Sequence, residues 1–351
     1  MSDAASDPLD WHAIRAAARL LEQGALAAFP TETVYGLGAD AENPQAVAKI
    51  YAAKGRPSSH PVIVHLAPQA DIAYWATDIP AETRKLIAAF WPGPLTLILK
   101  RAAHIPDAVS GGQDSIGLRC PSHPVAQALL AEFKQGKGGV AAPSANKFGH
   151  VSPTTAQHVR EEFDGDESIA CVLDGGQSAV GIESTIIDLS RMASHGPVLL
   201  RPGHVSPQQI AAVIGSLPRA PDAAAPRASG TLDAHYAPGT PVALVAQDQL
   251  QSVLEKLAQA GKQVALMRRM SAPLAVAVAQ VQLAATPDGY AHDLYAALRD
   301  MDHVHADLIV VEAPPVDGDW QGVNDRLKRA AFDSAGIIER LLLKNAGYAA
   351  D

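Results

Sequence analysis

Short runs of apolar and β-branched residues alternate with amphipathic stretches along almost the whole chain, a pattern that predicts an α/β architecture. In the first part the runs predict strands over 25–29, 61–67, 95–101, 115–120, 139–142, 169–173, 184–189 and 197–201. Several lie close together, which predicts mixed or antiparallel pairing. Asn43 before Pro44 reads as a helix N-cap followed by a first-turn proline. Val47, Ile50 and Tyr51 then share one face, which should pack on the sheet. A short helix over 206–214 closes this part, and the stretch SLPRAPDAAAPRASGTLDAHYAPGTP reads as a linker. Beyond it, 242–246, 250–257, 264–267, 290–301 and 308–311 alternate strand and helix, as in a small Rossmann-like layer structure, although no GxGxxG opens it. The expected organisation is a first domain over 1–215, a linker over 216–240 and a second domain over 241–351.

Composition agrees with that division. A chain of 351 residues exceeds one ordinary core, and 48% hydrophobic with 19% charged residues is normal for packed globular protein. No apolar run reaches the roughly 18 residues a membrane span needs, and the amino terminus is acidic and polar, so a cytoplasmic location is expected. The net charge of −9 is spread evenly, with 16 Lys and Arg against 21 Asp and Glu over 1–215 and 12 against 16 in the rest. Stable RNA binding calls for a basic face, so direct tRNA binding is expected to be weak at most. Cys120 and Cys171, each within a predicted strand, form no CxxC pair and read as buried, inert thiols. The 13 histidines show no HExxH spacing, and no protein-held metal is expected.

Polar and glycine-rich clusters sit where strands should end, and ligands of α/β proteins collect at such ends. Pro30 to Gly38 is a hydroxyl-rich turn with glycines that let a backbone approach a ligand. Lys54-Gly55-Arg56-Pro57 reads either as a cationic helix end or as a triphosphate site, and matches neither a Walker loop nor a kinase loop. His65 ends the strand VIVH, where a lone histidine is more often a core residue than a ligand. Arg119, inside the apolar strand SIGLRC, needs an anion, which a substrate carboxylate or an internal acid would equally supply. Ala142, Ser144 and Asn146 lie in a turn of small hydroxyl and amide groups, with Ser152 beyond it. These groups suit either capping of a helix starting near Pro153 or binding of phosphate and ribose oxygens.

Read together, PTETVYGLG, KGRP, SIGLRCP, APSAN, GIESTIID and LLRPG, in this order, resemble the threonylcarbamoyl-adenylate synthases of the YrdC-domain family. HYAP at His235 to Pro238 and the later GVNDRLKRAAFD resemble its longer, two-domain Sua-type branch. The resemblance implies a twisted mixed α/β sheet around a large cavity, plus the smaller Rossmann-like domain. It implies that Thr33, His65, Arg119, Ala142 and Ser184 border a threonine pocket, with Arg119 on the threonine carboxylate. Arg56, His60, Ser115, Ser144, Asn146, Ser152, Arg201, His235 and Tyr236 match nucleotide contacts, and Lys54 with Arg56 would act on the phosphates. His60 stands where the family usually has Asn, and Ala228-Ser229-Gly230 replaces the usual Ser-Pro-Gly. The implied reaction joins L-threonine, bicarbonate and ATP, with Mg2+ on the nucleotide, into threonylcarbamoyl-AMP for tRNA modification. The segment bearing His235 and Tyr236 is expected to act as a lid. No nucleophile–base set is legible, so positioning and charge neutralisation should carry the rate. The rival readings are an RNA-binding factor that uses the same cavity without chemistry and a carbamoyl-phosphate-dependent transferase.

Overall fold

The computed structural model describes residues 9–343; the acidic residues 1–8 and residues 344–351 lie outside them. The chain divides into two compact units. The first comprises Met1–Lys147, Pro153–Ala179 and Glu183–Ser229, and the second Phe148–Ser152, Val180–Ile182 and Gly230–Asp351. The division therefore falls inside the stretch expected to be a linker, and two short pieces from earlier in the chain belong to the later unit.

In the first unit the strands are β1 (Leu26–Phe29), β2 (Gly36–Asp40), β3 (Ile63–Leu66), β4 (Ala76–Thr77), β5 (Leu95–Arg101), β6 (Ser115–Arg119), β7 (Gly139–Ala141), β8 (Ile169–Val172), β9 (Thr185–Asp188) and β10 (Val198–Arg201). They form one mixed sheet in the order β10-β9-β5-β6-β3-β7-β2-β1-β8, with β4 paired to β5. The pairs β1–β8, β3–β6 and β5–β9 are parallel; the others are antiparallel. The strands β2 and β4 were not expected from the pattern. Cys120 lies one residue beyond β6 rather than inside it, because the strand ends before Pro121. Burial pushes its thiol up to about 12.

Helix ends follow their capping residues. Asn43 accepts hydrogen bonds from the backbone N–H groups of Gln45 and Ala46, Pro44 fills the first turn, and Gly55 at φ +62° closes helix Pro44–Lys54. Ser206 and Gln209 form a capping box on helix Pro207–Ile214. The helix expected near Pro153 instead starts at Ala156, where Thr155 accepts from the His158 N–H. Neither Ser144 nor Ser152 caps it.

The second unit holds β11 (Val242–Val245), β12 (Val264–Arg268), β13 (Ala279–Gln282) and β14 (Leu308–Glu312). They form an all-parallel sheet in the order β11-β14-β12-β13. Helices Leu250–Gln259 and Pro287–Asp302 fill the β11–β12 and β13–β14 crossovers, as in Rossmann-like layering, while a helix-free turn joins β12 to the parallel β13. The apolar faces of these helices bury Leu254, Leu257, Leu294 and Leu298.

Candidate active site

Side-chain alternation along the first sheet decides which residues share a face. In β3, Val64 and Leu66 enter the main core with Val47 and Ile50. Ile63 and His65 are left on the opposite face, where register sets Ile63 beside Gly117 and His65 beside Arg119. Ile98 of β5 pairs with Gly117, which brings Thr96 onto this face as well. Toward β1 and β7 the same face is packed by helices Trp11–Glu22 and Pro124–Glu132 through Leu21, Leu129 and Phe29. Toward β9 and β10 it carries Ile186, Val198 and Leu200, against which Ala225 and Ala228 pack. His65 and Arg119 lie between these two covered areas.

Around them the predicted clusters converge through main-chain and side-chain bonds. The Ala142 N–H donates to the Ile63 carbonyl (2.9 Å), Gly36 bridges to Ser144, and the Ala145 N–H donates to the Tyr35 carbonyl (2.8 Å). In the Thr31–Val34 turn the two threonine hydroxyls lie 2.9 Å apart, and Thr31 also donates to the Val34 carbonyl (2.6 Å). Thr33 is fully buried there.

Of the two anions the sequence allowed for Arg119, the internal acid is present. Arg119 Nη2 lies 2.6 Å from Glu32 Oε1, with both side chains under a tenth exposed. Glu32 Oε2 accepts from the Ser122 N–H (3.0 Å), and Arg119 Nε donates to the Gly93 carbonyl (3.3 Å). Arg119 is therefore held in a fixed fork before any ligand arrives. Glu32 itself was not singled out from the sequence. Its signal there is only an acid in a turn otherwise made of hydroxyls and glycines.

Burial, and secondarily the Arg119 charge, drive the His65 imidazole down to about 3. The ring is neutral at pH 7. Because the unfolded chain takes up a proton near 6.5 and the folded one does not until about 3, this residue stabilises the fold fully above 6.5 and loses that contribution as pH falls. The loss should approach roughly 5 kcal/mol near pH 3. Urea unfolding across this range should show a steeper acid loss in the parent than in His65→Gln; parallel curves would contradict the assignment.

Three cations gather nearby. Lys54 Nζ, buried, donates to the Ser144 carbonyl (2.6 Å) and to the Asn146 carbonyl. No carboxylate lies within ion-pair distance of it among the described residues. Burial and then the Arg56 charge hold its ammonium well below the usual lysine range. Arg56 Nη2 donates to the Pro61 carbonyl (2.8 Å) and to Ser229 Oγ (3.2 Å). Arg201 donates to the Ser184 carbonyl (2.9 and 3.1 Å), to Ser184 Oγ (3.2 Å) and to the Ser229 carbonyl (2.9 Å). Ser184 Oγ in turn lies 2.7 Å from Thr96 Oγ1. Ser229 thus touches both arginines although 173 and 28 positions separate it from them. Local pattern gives no sign of such a contact.

The remaining first-unit residues surround this group. Ser115 is buried at the start of β6. Asn146 Nδ2 donates to the Lys147 carbonyl (2.7 Å), and His60 is half-buried, its imidazole lowered by burial and by Arg56.

Ser152, His235 and Tyr236 belong to the second unit. There the HYAP segment is packed rather than loose. The Ala237 N–H donates to the Gly149 carbonyl (3.0 Å), His235 stacks edge-on between Phe148 and Tyr236, and Tyr236 lies 5.8 Å from Tyr295. The Arg326 guanidinium sits 5.4 Å from the Tyr236 ring centre. The reading of His235 and Tyr236 as bulky residues in a linker is therefore corrected: they are core residues of this unit, 6% and 1% exposed.

Comparison with known proteins adds independent findings. Residues 19–203 match the Sua5/YciO/YrdC family, described as "Telomere recombination", and residues 205–332 match "Threonylcarbamoyl-AMP synthase, C-terminal domain". The threonylcarbamoyl-AMP synthase of Pyrococcus abyssi is 38% identical, over 91% of this chain and 94% of that protein. The enzyme of the same name from Bacillus subtilis is 39% identical, over 91% and 92%. The crystal structure of P. abyssi Sua5 complexed with L-threonine superposes with a TM-score of 0.84 at 36% identity, covering 93% of this chain and 96% of that one.

Proposed function

We propose a chemistry for the site from one premise: this chain belongs to the two-domain threonylcarbamoyl-AMP synthase family. It is an enzyme that makes threonylcarbamoyl-AMP from L-threonine, bicarbonate and ATP, with tRNA threonylcarbamoyladenosine as the destination of the product. The threonine amine forms a C–N bond to bicarbonate with loss of water. The resulting carbamate oxygen bonds to the α-phosphorus as the α–β phosphoanhydride breaks and pyrophosphate leaves, which makes the enzyme a nucleotidyltransferase.

The observation that carries this reading is Lys54, a buried ammonium beside Arg56 that is held by two carbonyls and no carboxylate. Such a pair of cations is unfavourable until a polyanion joins it. A triphosphate suits that need. Lys54, Arg56 and Arg201 then offset charge on phosphate oxygens, with His60, Ser115, Ser144 and Asn146 as further nucleotide contacts. Thr33, His65, Arg119, Ala142 and Ser184 take threonine, Arg119 offering its guanidinium to the carboxylate while Glu32 holds it in place. The neutral His65 adds no competing charge. The nucleotide roles expected of Ser152, His235 and Tyr236 rest on the resemblance alone.

Mg2+ fits as a metal carried by the nucleotide. It prefers oxygen ligands, and the described residues include no cluster of three His, Cys, Asp or Glu that would cage it. Hydroxyls of Ser115 and Ser144 are compatible with a hydrated, phosphate-bound ion, which would neutralise phosphate charge. Transfer of the product to a separate tRNA-modifying machinery is part of the proposal. No helix among the described residues is long and apolar enough to cross a membrane.

Incubation of the purified protein with labelled bicarbonate, ATP and L-threonine should yield labelled threonylcarbamoyl-AMP with one pyrophosphate each. Absence of product with active substrates would refute the activity. Within the site, Arg56→Lys should lower turnover at saturating ATP by roughly tenfold or more, since the charge stays but the fork is lost. A parent-like rate would return KGRP to the role of a helix terminus.

A further inference from the structure

The strands β12 and β14 lie side by side in the second sheet, so the loops leaving their carboxyl ends meet. Glu312, buried at the end of β14, accepts from the N–H groups of Arg269 (2.7 Å), Met270 (3.1 Å) and Ser271 (3.1 Å) and from Ser271 Oγ (2.8 Å). One carboxylate thereby clamps the whole turn that follows β12. Its acceptor capacity is taken up by the turn, so it neutralises no neighbouring side chain by ion pairing.

Two half-buried arginines flank that clamp. Arg268 gives one bond, from Nη1 to the Ser271 carbonyl (3.1 Å), and its Nε has no partner. Arg269 lies with its guanidinium 5.5 Å from the Trp320 ring centre, and its Nε also has no partner. Among the described residues neither forms an ion pair, the exposed Asp317 and Asp319 in the turn before Trp320 included. The same Trp320 ring meets Tyr290 edge-on at 5.4 Å, and the Tyr290 hydroxyl, on a side chain 1% exposed, has no hydrogen-bond partner.

A turn needed only to connect β12 to β13 is accounted for by Glu312. It has no use for two adjacent arginines whose buried Nε atoms lack partners or for an unsatisfied phenol, and a buried donor without a partner is costly. All three are hydrogen-bond donors, and they sit at the carboxyl end of a parallel sheet, where such folds hold ligands. We infer that Arg268, Arg269 and Tyr290 form a second anion site, for a phosphate-class oxyanion. Guanidinium forks match tetrahedral oxyanions, and the phenol supplies a further donor. The ion is either free phosphate or the phosphoryl group of a nucleotide.

Calorimetric titration of the full chain with inorganic phosphate, and separately with AMP, tests this. In Arg268→Gln/Arg269→Gln one class of phosphate sites should weaken at least tenfold, and in Tyr290→Phe several-fold, while threonylcarbamoyl-AMP formation is unchanged. Parallel loss of AMP binding identifies a nucleotide phosphoryl group; loss of phosphate binding alone identifies the free ion. Without phosphate, Tyr290→Phe should melt no lower than the parent, because it removes an unpartnered hydroxyl. Phosphate isotherms identical in the parent and in Tyr290→Phe, or a clear fall in its melting temperature without ligand, overturn the site, whether or not the double variant folds.

Discussion

Arg119→Ala is expected to cost the first unit about 3–5 kcal/mol of stability, because it leaves the buried Glu32 carboxylate with the Ser122 N–H as its remaining partner. A residue that only met substrate would leave the fold intact, so this stability loss follows from the Glu32 pair. Arg119→Met combined with Glu32→Gln should recover most of the stability, since no unpaired charge remains. Threonine affinity should not recover. Loss of a desolvated carboxylate contact costs roughly 2–5 kcal/mol. Denaturant unfolding and threonine titration on both variants separate the two effects, and parent-like affinity in the folded double variant would remove Arg119 from the threonine site.

Tyr236→Ala should be almost as damaging, by about 3–5 kcal/mol, because it empties the space between His235, Tyr295 and Arg326. Arg326 is itself 1% exposed, so it would lose its aromatic partner without gaining water. Tyr236 also adopts φ +61°, a strained backbone that the packed ring holds in place. Thermal unfolding is the measurement, and an unchanged transition would mean that the ring is not packed in this way. Any change in the ratio of ATP consumed to product formed must be read after correction for that lost stability.

Most strands of the first unit were legible because their apolar runs are short, β-branched and bounded by Gly, Pro and polar residues. Of the two exceptions, β4 is only two residues long, and β2 reads Gly-Leu-Gly-Ala-Asp and looks like a loop. Its glycine is a packing requirement: a Cβ at Gly38 would come within 2.9 Å of both Phe29 and Val140. Similarly β13, Ala-Gln-Val-Gln, is too polar to announce itself and is a strand through its parallel register with β12. Within the site, Lys54, Arg56, Arg119 and Arg201 were visible as cations in apolar or glycine-rich settings. What each one touches was not, because Glu32, Ser229 and Thr96 are brought to them by sheet register and by a chain return of many residues. For His235 and Tyr236 the composition around them suggested a linker, whereas their packing partners, the rings of Phe148 and Tyr295 and the Arg326 guanidinium, lie far away in sequence.

Neither unit is one continuous stretch of chain, and this bears on the order in which the protein can fold as it leaves the ribosome. The strand β1 must wait for β8, about 140 residues later, and such distant parallel pairing raises contact order and slows folding. Phe148–Ser152 and Val180–Ile182 are synthesised early, yet they belong with Gly230–Asp351. The Gly149 carbonyl meets its donor at Ala237, and Gly181, at φ +82°, lies against the backbone of Ala291 and His292. A chain ending at Ser229 would expose both pieces, and residues 230–351 alone would lack them. Synthesis therefore leaves these two pieces of the second unit without their partners until the last third of the chain arrives, the interval in which chaperone binding would matter most.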